Sequence, residues 1–128
     1  MGTPELAAPS LQAVLDSGTE ISAVLTQPDR RAGRKQQLQP SPLKQYAQGK
    51  KLTVHTPEKA GSAETIELVS SLAPELVLVC AYGQILPQSF LDIPKIGCFN
   101  LHFSFLPQLR GASPVQAAIA SGFERTGV

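Results

Sequence analysis

With 128 residues, 42% of them apolar and 16% charged, and a formal charge of +1, the chain has the makeup of one globular α/β domain with room for a sizeable core, which leaves no place for a second domain. Its two cysteines, Cys80 and Cys98, each lie inside an apolar run; they read as reduced, buried thiols, and a disulfide framework or cysteine metal site is excluded for want of a second pair. No apolar stretch approaches the ~20 residues that span a bilayer, and the first residues lack the basic start and apolar core of a signal peptide, so the cytosol is the expected compartment.

Thr3-Pro4-Glu5 sets a capping residue before a proline that a first helical turn tolerates. Ala7, Leu11, Val14 and Leu15 follow at helical spacing, predicting a helix to about Ser17 that Gly18 stops. Pro9 interrupts the pattern, so the first turn can separate from the rest. A short apolar strand is predicted over 21–25. Residues 26–40 are polar and glycine-bearing with no period of either kind, which marks an exposed loop. Its length points to a functional or disordered segment, because structureless loops of ~12–15 residues are uncommon inside domains.

Ser41-Pro42 repeats the cap-then-proline signature, with Leu43, Tyr46 and Ala47 as the apolar stripe of a helix that Gly49 ends. A strand follows over 52–55. Ser62 then caps a helix whose Ile66, Val69 and Ala73 share a face, closed by Pro74. The run 76–80 is apolar without alternation, as expected of a parallel strand covered on both faces. After a short helical connection, 98–102 is a second such strand, and Ser113-Pro114 opens a last helix ending at Gly122. Strands alternating with helices predict an α/β, doubly wound parallel sheet.

The charge is unevenly placed. Residues 30–59 carry eight of the eleven basic side chains against Glu58 alone, a local charge of +7. Such a block suits a polyanionic partner, nucleic acid or a phosphorylated substrate; the competing reading is an ordinary solvated loop.

In Gly97-Cys98-Phe99-Asn100-Leu101-His102 the strand period sends Asn100 and His102 to one side and Phe99 and Leu101 to the other. Both polar residues fall at the end of the strand, where an open parallel sheet holds its ligand crevice. An amide that donates to an oxygen, beside an imidazole that trades a proton near neutrality, suits acyl transfer. An ordinary hydrogen-bonded strand terminus is the alternative.

Asn100-Leu101-His102-Phe103-Ser104-Phe105-Leu106-Pro107, followed by Arg110-Gly111-Ala112-Ser113-Pro114, resembles the Asn-x-His-x-Ser-Leu-Leu-Pro signature of folate-dependent formyltransferases and the Arg-Gly-Ala-x-Pro of their tRNA-acting members. Gly2-Thr3-Pro4-Glu5, Thr26-Gln27-Pro28-Asp29-Arg30 with Ala32-Gly33-Arg34 and Pro40-Ser41-Pro42, and Ala81-Tyr82-Gly83-Gln84-Ile85-Leu86-Pro87 resemble the same family, in order along nearly the whole chain. The resemblance implies a Rossmann-like fold and transfer of a formyl group from 10-formyltetrahydrofolate to the amino group of initiator methionyl-tRNA, in translation initiation, without a metal. It implies that Asn100 hydrogen-bonds the formyl oxygen and that His102 acts as electrophile and proton carrier. Tyr82, Gly83, Gln84, Ile85 and Leu86 would line the pterin slot, mainly through backbone and apolar contacts. Ser104, Phe105, Leu106 and Pro107 would complete the folate site, and Arg30, Arg31, Arg34 and Lys35 would contact tRNA phosphates, Arg34 foremost.

Against the family pattern, Phe103 and Phe105 are larger than expected and would thicken the wall of the folate site. The family's first apolar strand, its catalytic Asp and its C-terminal RNA-binding domain have no counterpart, so residues 1–128 are expected to be a partial formyltransferase catalytic domain with two bared sheet edges. Asp92 precedes the last strand and is expected at its opposite end. The alternatives are a non-catalytic fragment of such an enzyme, or a formyltransferase for a nucleotide-linked amine, against which the basic 28–42 loop speaks.

Overall fold

The computed structural model describes residues 1–33 and 36–128. Two parallel ladders form its frame. In one, β1 (Val24–Leu25) pairs with β4 (Val54–His55); in the other, β5 (Leu76–Cys80) pairs in full register with β6 (Gly97–Leu101). Met1 and Gly2 lie between them. The Gly2 amide donates to the Leu25 carbonyl at 3.0 Å, the Cys80 amide donates to the Met1 carbonyl at 2.8 Å, and Gly2 forms a parallel bridge with Cys80. The order across the sheet is therefore β4, β1, Met1–Gly2, β5, β6, the doubly wound arrangement expected, with its centre two residues long.

An apolar groove of about 640 Å³ runs alongside β1 and β5, walled by Leu11, Val14, Val69 and Leu76 among others. The Met1 ammonium closes one end, donating to the Leu78 carbonyl at 2.6 Å. Burial pushes its pKa down to about 6, with nearby Cys80 and Cys98 opposing the shift.

Helices cover both faces because adjacent strand residues point to opposite sides. Val24 packs with Ala7, Leu43, Ala47 and Cys80 beneath α1 (Ala8–Asp16) and α2 (Pro42–Gly49). Leu25 packs with Val69, Val77, Tyr82 and Phe90 beneath α3 (Ala63–Ser71) and α4 (Gln88–Leu91). Phe90 and Tyr82 are almost completely buried, each contributing roughly 1.5–3 kcal/mol by leaving water.

Most local expectations hold, with informative departures. Pro9 does split the first helix: a 3-10 turn at Glu5–Ala7 precedes α1, which tolerates proline in its first turn. Ser41 and Ser62 cap α2 and α3, accepting from the Lys44 and Thr65 amides. Ser113 precedes α5 (Pro114–Ala120) but its hydroxyl caps nothing, since its backbone, at φ −135° and ψ 56°, departs from the extended geometry of Ser41 and Ser62. The 26–40 segment is not without structure. It contains the antiparallel hairpin β2 (Arg30–Ala32) and β3 (Gln37–Gln39), exposed at every position, so the apolar alternation that betrays a strand was never required of it. Among the described residues no helix is long and apolar enough to cross a membrane.

Candidate active site at the carboxyl edge of the sheet

Parallel pairing brings the two site segments together. Asn100 lies opposite Val79 and Leu101 opposite Cys80, so β5 and β6 deliver the chain after Cys80 and the chain after Leu101 to the same edge. At Ala81 (φ 50°) and Gly83 (φ 85°) the backbone enters the left-handed region, turning the chain sharply off the strand. Tyr82, between them, sends its ring into the core while its carbonyl faces the edge, accepting from Thr3 Oγ1 at 2.8 Å and Gln27 Nε2 at 3.2 Å. Among the described residues the ring hydroxyl has no hydrogen-bond partner, and burial pushes its pKa up to about 12.

Beyond Gly83, Gln84 folds back: its Oε1 accepts from the Ala60 amide at 2.6 Å and its Nε2 reaches the Glu58 carbonyl at 3.2 Å. Ile85 is left 93% exposed, while Leu86 packs on the core. On the neighbouring loop Phe105 and Leu106 are each 59% exposed. The edge thus offers apolar surface beside the exposed Asn100 amide. Phe103 turns the other way and packs with Leu101 against the α1–α2 cluster, so its bulk fills core rather than a ligand wall. Phe105 does stand at the edge, its ring lying against Gly127, where an added Cβ would collide with it.

His102 follows β6 directly and is half-buried. Its Nδ1 is 2.9 Å from Ser104 Oγ and its Nε2 is 3.3 Å from the Gly111 carbonyl. Ser104 is 2% exposed, and its hydroxyl also donates to the Gln108 carbonyl at 2.7 Å. The imidazole is thus held between a hydroxyl and a peptide carbonyl. Asp92 ends α4, before β6 begins, and its carboxylate accepts from Gln88 at 2.7 Å.

The basic segment joins the site through its stem. Arg30 Nη2 donates to Gln27 Oε1 at 3.1 Å, so the buried Gln27 side chain links the Tyr82 carbonyl to the hairpin. Thr26 and Ser41 exchange a buried hydroxyl hydrogen bond at 2.6 Å beneath it. Lys44 is bound to both carboxylate oxygens of Asp29, at 2.7 and 2.8 Å, so it adds no free charge to the patch. Arg31 donates to the Gln36 carbonyl across the hairpin. Arg34 and Lys35 lie outside the described residues. Thr3, Gln27, Pro28, Arg30 and Gly83 border a cavity of about 310 Å³. Thr3, Gln27 and Gly111 were not expected as site residues, although each lies in one of the segments that resemble the family; their contacts with Tyr82 and His102 show the part they take.

An open parallel sheet wound on both faces, with its crevice at the carboxyl edge, defines an α/β protein of the doubly wound class. The chain belongs to the formyl transferase family, whose model matches residues 1–128. It is 52% identical over 128 residues to the methionyl-tRNA formyltransferase of Geotalea uraniireducens, covering all of this chain and 41% of that protein. It is 50% identical over 127 residues to that of Halorhodospira halophila, covering 99% and 41%. The chain therefore spans about two fifths of the length of these curated relatives. The crystal structure of phosphoribosylglycinamide formyltransferase from Bacillus halodurans superposes with a TM-score of 0.70 at 13% identity, over 94% of this chain and 62% of that one. At that identity the likeness is one of fold.

Proposed function

We propose that this chain takes part in transferring a formyl group to the amino group of initiator methionyl-tRNA, as part of a longer catalytic domain whose RNA-binding domain lies outside residues 1–128. When bound, 10-formyltetrahydrofolate supplies the formyl group. The observation that carries the reading is the convergence of Asn100, His102 and the 82–86 turn on one edge, through the β5–β6 register. The exposed apolar side chains of Ile85, Phe105 and Leu106 suit a flat pterin ring there.

In this reading Asn100 donates a hydrogen bond to the formyl oxygen as negative charge grows on it. His102 Nε2 takes a proton from the attacking amine and returns it to the departing nitrogen, leaving the residue unchanged over the cycle. Arg30, Arg31, Arg34 and Lys35 hold acceptor-end phosphates, contributing affinity and position rather than sequence choice. The reaction is placed in the cytoplasm, or in an organelle matrix in a eukaryote.

Incubating the chain with methionyl-tRNA and 10-formyltetrahydrofolate tests this. Formyl-methionyl-tRNA is expected, with a fall of about 10²–10⁴ in rate for His102→Ala. A folded sample that yields no product would support the second reading, a non-catalytic portion of such an enzyme.

A further inference from the structure

We infer that Ser104 is a positioning residue: it holds His102 in the Nδ1–H tautomer and so leaves Nε2 as the basic nitrogen. This rests on the reaction proposed above for its purpose, though not for its evidence. A hydroxyl has one proton, and the Gln108 carbonyl, 2.7 Å away, can only accept it. With that proton committed, Ser104 Oγ meets His102 Nδ1 at 2.9 Å as an acceptor, and Nδ1 must carry the hydrogen. The reverse orientation would press two acceptor oxygens together at 2.7 Å inside a site where Ser104 is 2% exposed and water cannot relieve them.

A rival anchor exists. The Gly111 carbonyl, 3.3 Å from Nε2, would favour the Nε2–H tautomer. It is longer and solvent-exposed, whereas the Ser104 contact is shorter and its hydroxyl buried, so Ser104 wins. The two anchors then act in turn. In the neutral ring Nε2 presents a lone pair; once it takes a proton, the Gly111 carbonyl becomes its acceptor, and both ring nitrogens of the imidazolium have partners. Ser104 thus acts through the imidazole rather than on the folate wall.

The test is long-range ¹H–¹⁵N NMR of the ¹⁵N-labelled 128-residue chain at pH 9, where only His55 and His102 give imidazole signals. His102 is expected with a protonated Nδ1 and an unprotonated Nε2, the tautomer that a free histidine side chain disfavours. Ser104→Ala should lower the Nδ1–H to Nε2–H ratio about fivefold to tenfold, the scale one buried neutral hydrogen bond supports, and Ser104→Thr should restore it. A predominantly Nε2–H ring in the unmodified chain overturns the inference, as does a ratio unmoved by Ser104→Ala in a folded sample. Should Ser104→Ala fail to fold, the unmodified chain and Ser104→Thr decide by the same criterion. The formyl-transfer assay is read separately: an inactive chain with an Nδ1–H ring counts against the proposed reaction and for Ser104, and an active chain with an Nε2–H ring does the opposite.

Discussion

Gly2→Ala should destabilise this protein more than its position near the end of the chain suggests. A Cβ there would stand 2.7 Å from the Cys80 carbonyl oxygen, 2.8 Å from the Ala7 Cβ and 3.0 Å from Leu43 Cδ2. The first of these is backbone in the β5–β6 ladder and cannot swing aside. Relief requires Met1–Gly2 to move, and those residues carry the hydrogen bonds that join the two halves of the sheet. Overpacking of this kind costs about 1–3 kcal/mol, and weakening one joining hydrogen bond adds about 1 kcal/mol. For a chain of this length each kcal/mol lowers Tm by about 4 °C, so a fall of roughly 8–15 °C is expected by calorimetry or circular dichroism. Gly49→Ala is the matched control. Gly49 ends α2 with nothing within 4 Å of an added Cβ, and alanine there should stabilise by up to about 1 kcal/mol. A Gly2→Ala variant that melts within a degree of the unmodified chain would refute the claim that Met1–Gly2 holds the halves together.

Stability should also rise with pH between about 6 and 8. The Met1 amine is pushed down from 8.0 to about 6 by burial, so the unfolded chain binds more protons across that window; the cost is full below pH 6, gone above pH 8, and amounts to about 2–3 kcal/mol. Urea unfolding at a series of pH values checks it, and a flat profile across the window would contradict the burial. Ser41→Ala should cost about 2–4 kcal/mol, because it removes both the α2 cap and the partner of the buried Thr26 hydroxyl. Ser62→Ala, which loses a cap on a more exposed helix start, should cost about 1 kcal/mol; equal losses for the two would show that the Thr26 pairing contributes nothing.

How far the sequence could be read depended on the range of the interactions involved. The cap-proline starts at Ser41 and the apolar run 76–80 act within a few residues, and α2 and β5 formed where they were expected. At Ser113 the same dipeptide signal opened a helix while the cap itself did not form. The hairpin β2–β3 escaped notice since its residues face water on both sides, leaving no apolar period to detect. Tyr82 sat in a motif suggestive of a ligand wall, yet its ring belongs to the core and only its carbonyl serves the edge.

Local chemistry along the chain sufficed to determine an α/β alternation, two parallel strands, and an Asn–His pair one strand period apart, because backbone geometry dictates each of these over a handful of residues; it did not determine their cover, since β6 leaves Phe99 52% exposed. Tertiary structure alone decided that the Tyr82 turn and His102 share an edge, that Asp29 neutralises Lys44, that Gln27 ties Arg30 to the Tyr82 carbonyl, and that Ser104 is bonded to His102 Nδ1. Even the contact from His102 to Ser104, two residues apart, depends on how the chain is turned by its surroundings. A hydrogen bond needs two groups within about 3 Å and aligned, a condition that packing of the whole chain imposes and that no pattern of neighbouring residues encodes.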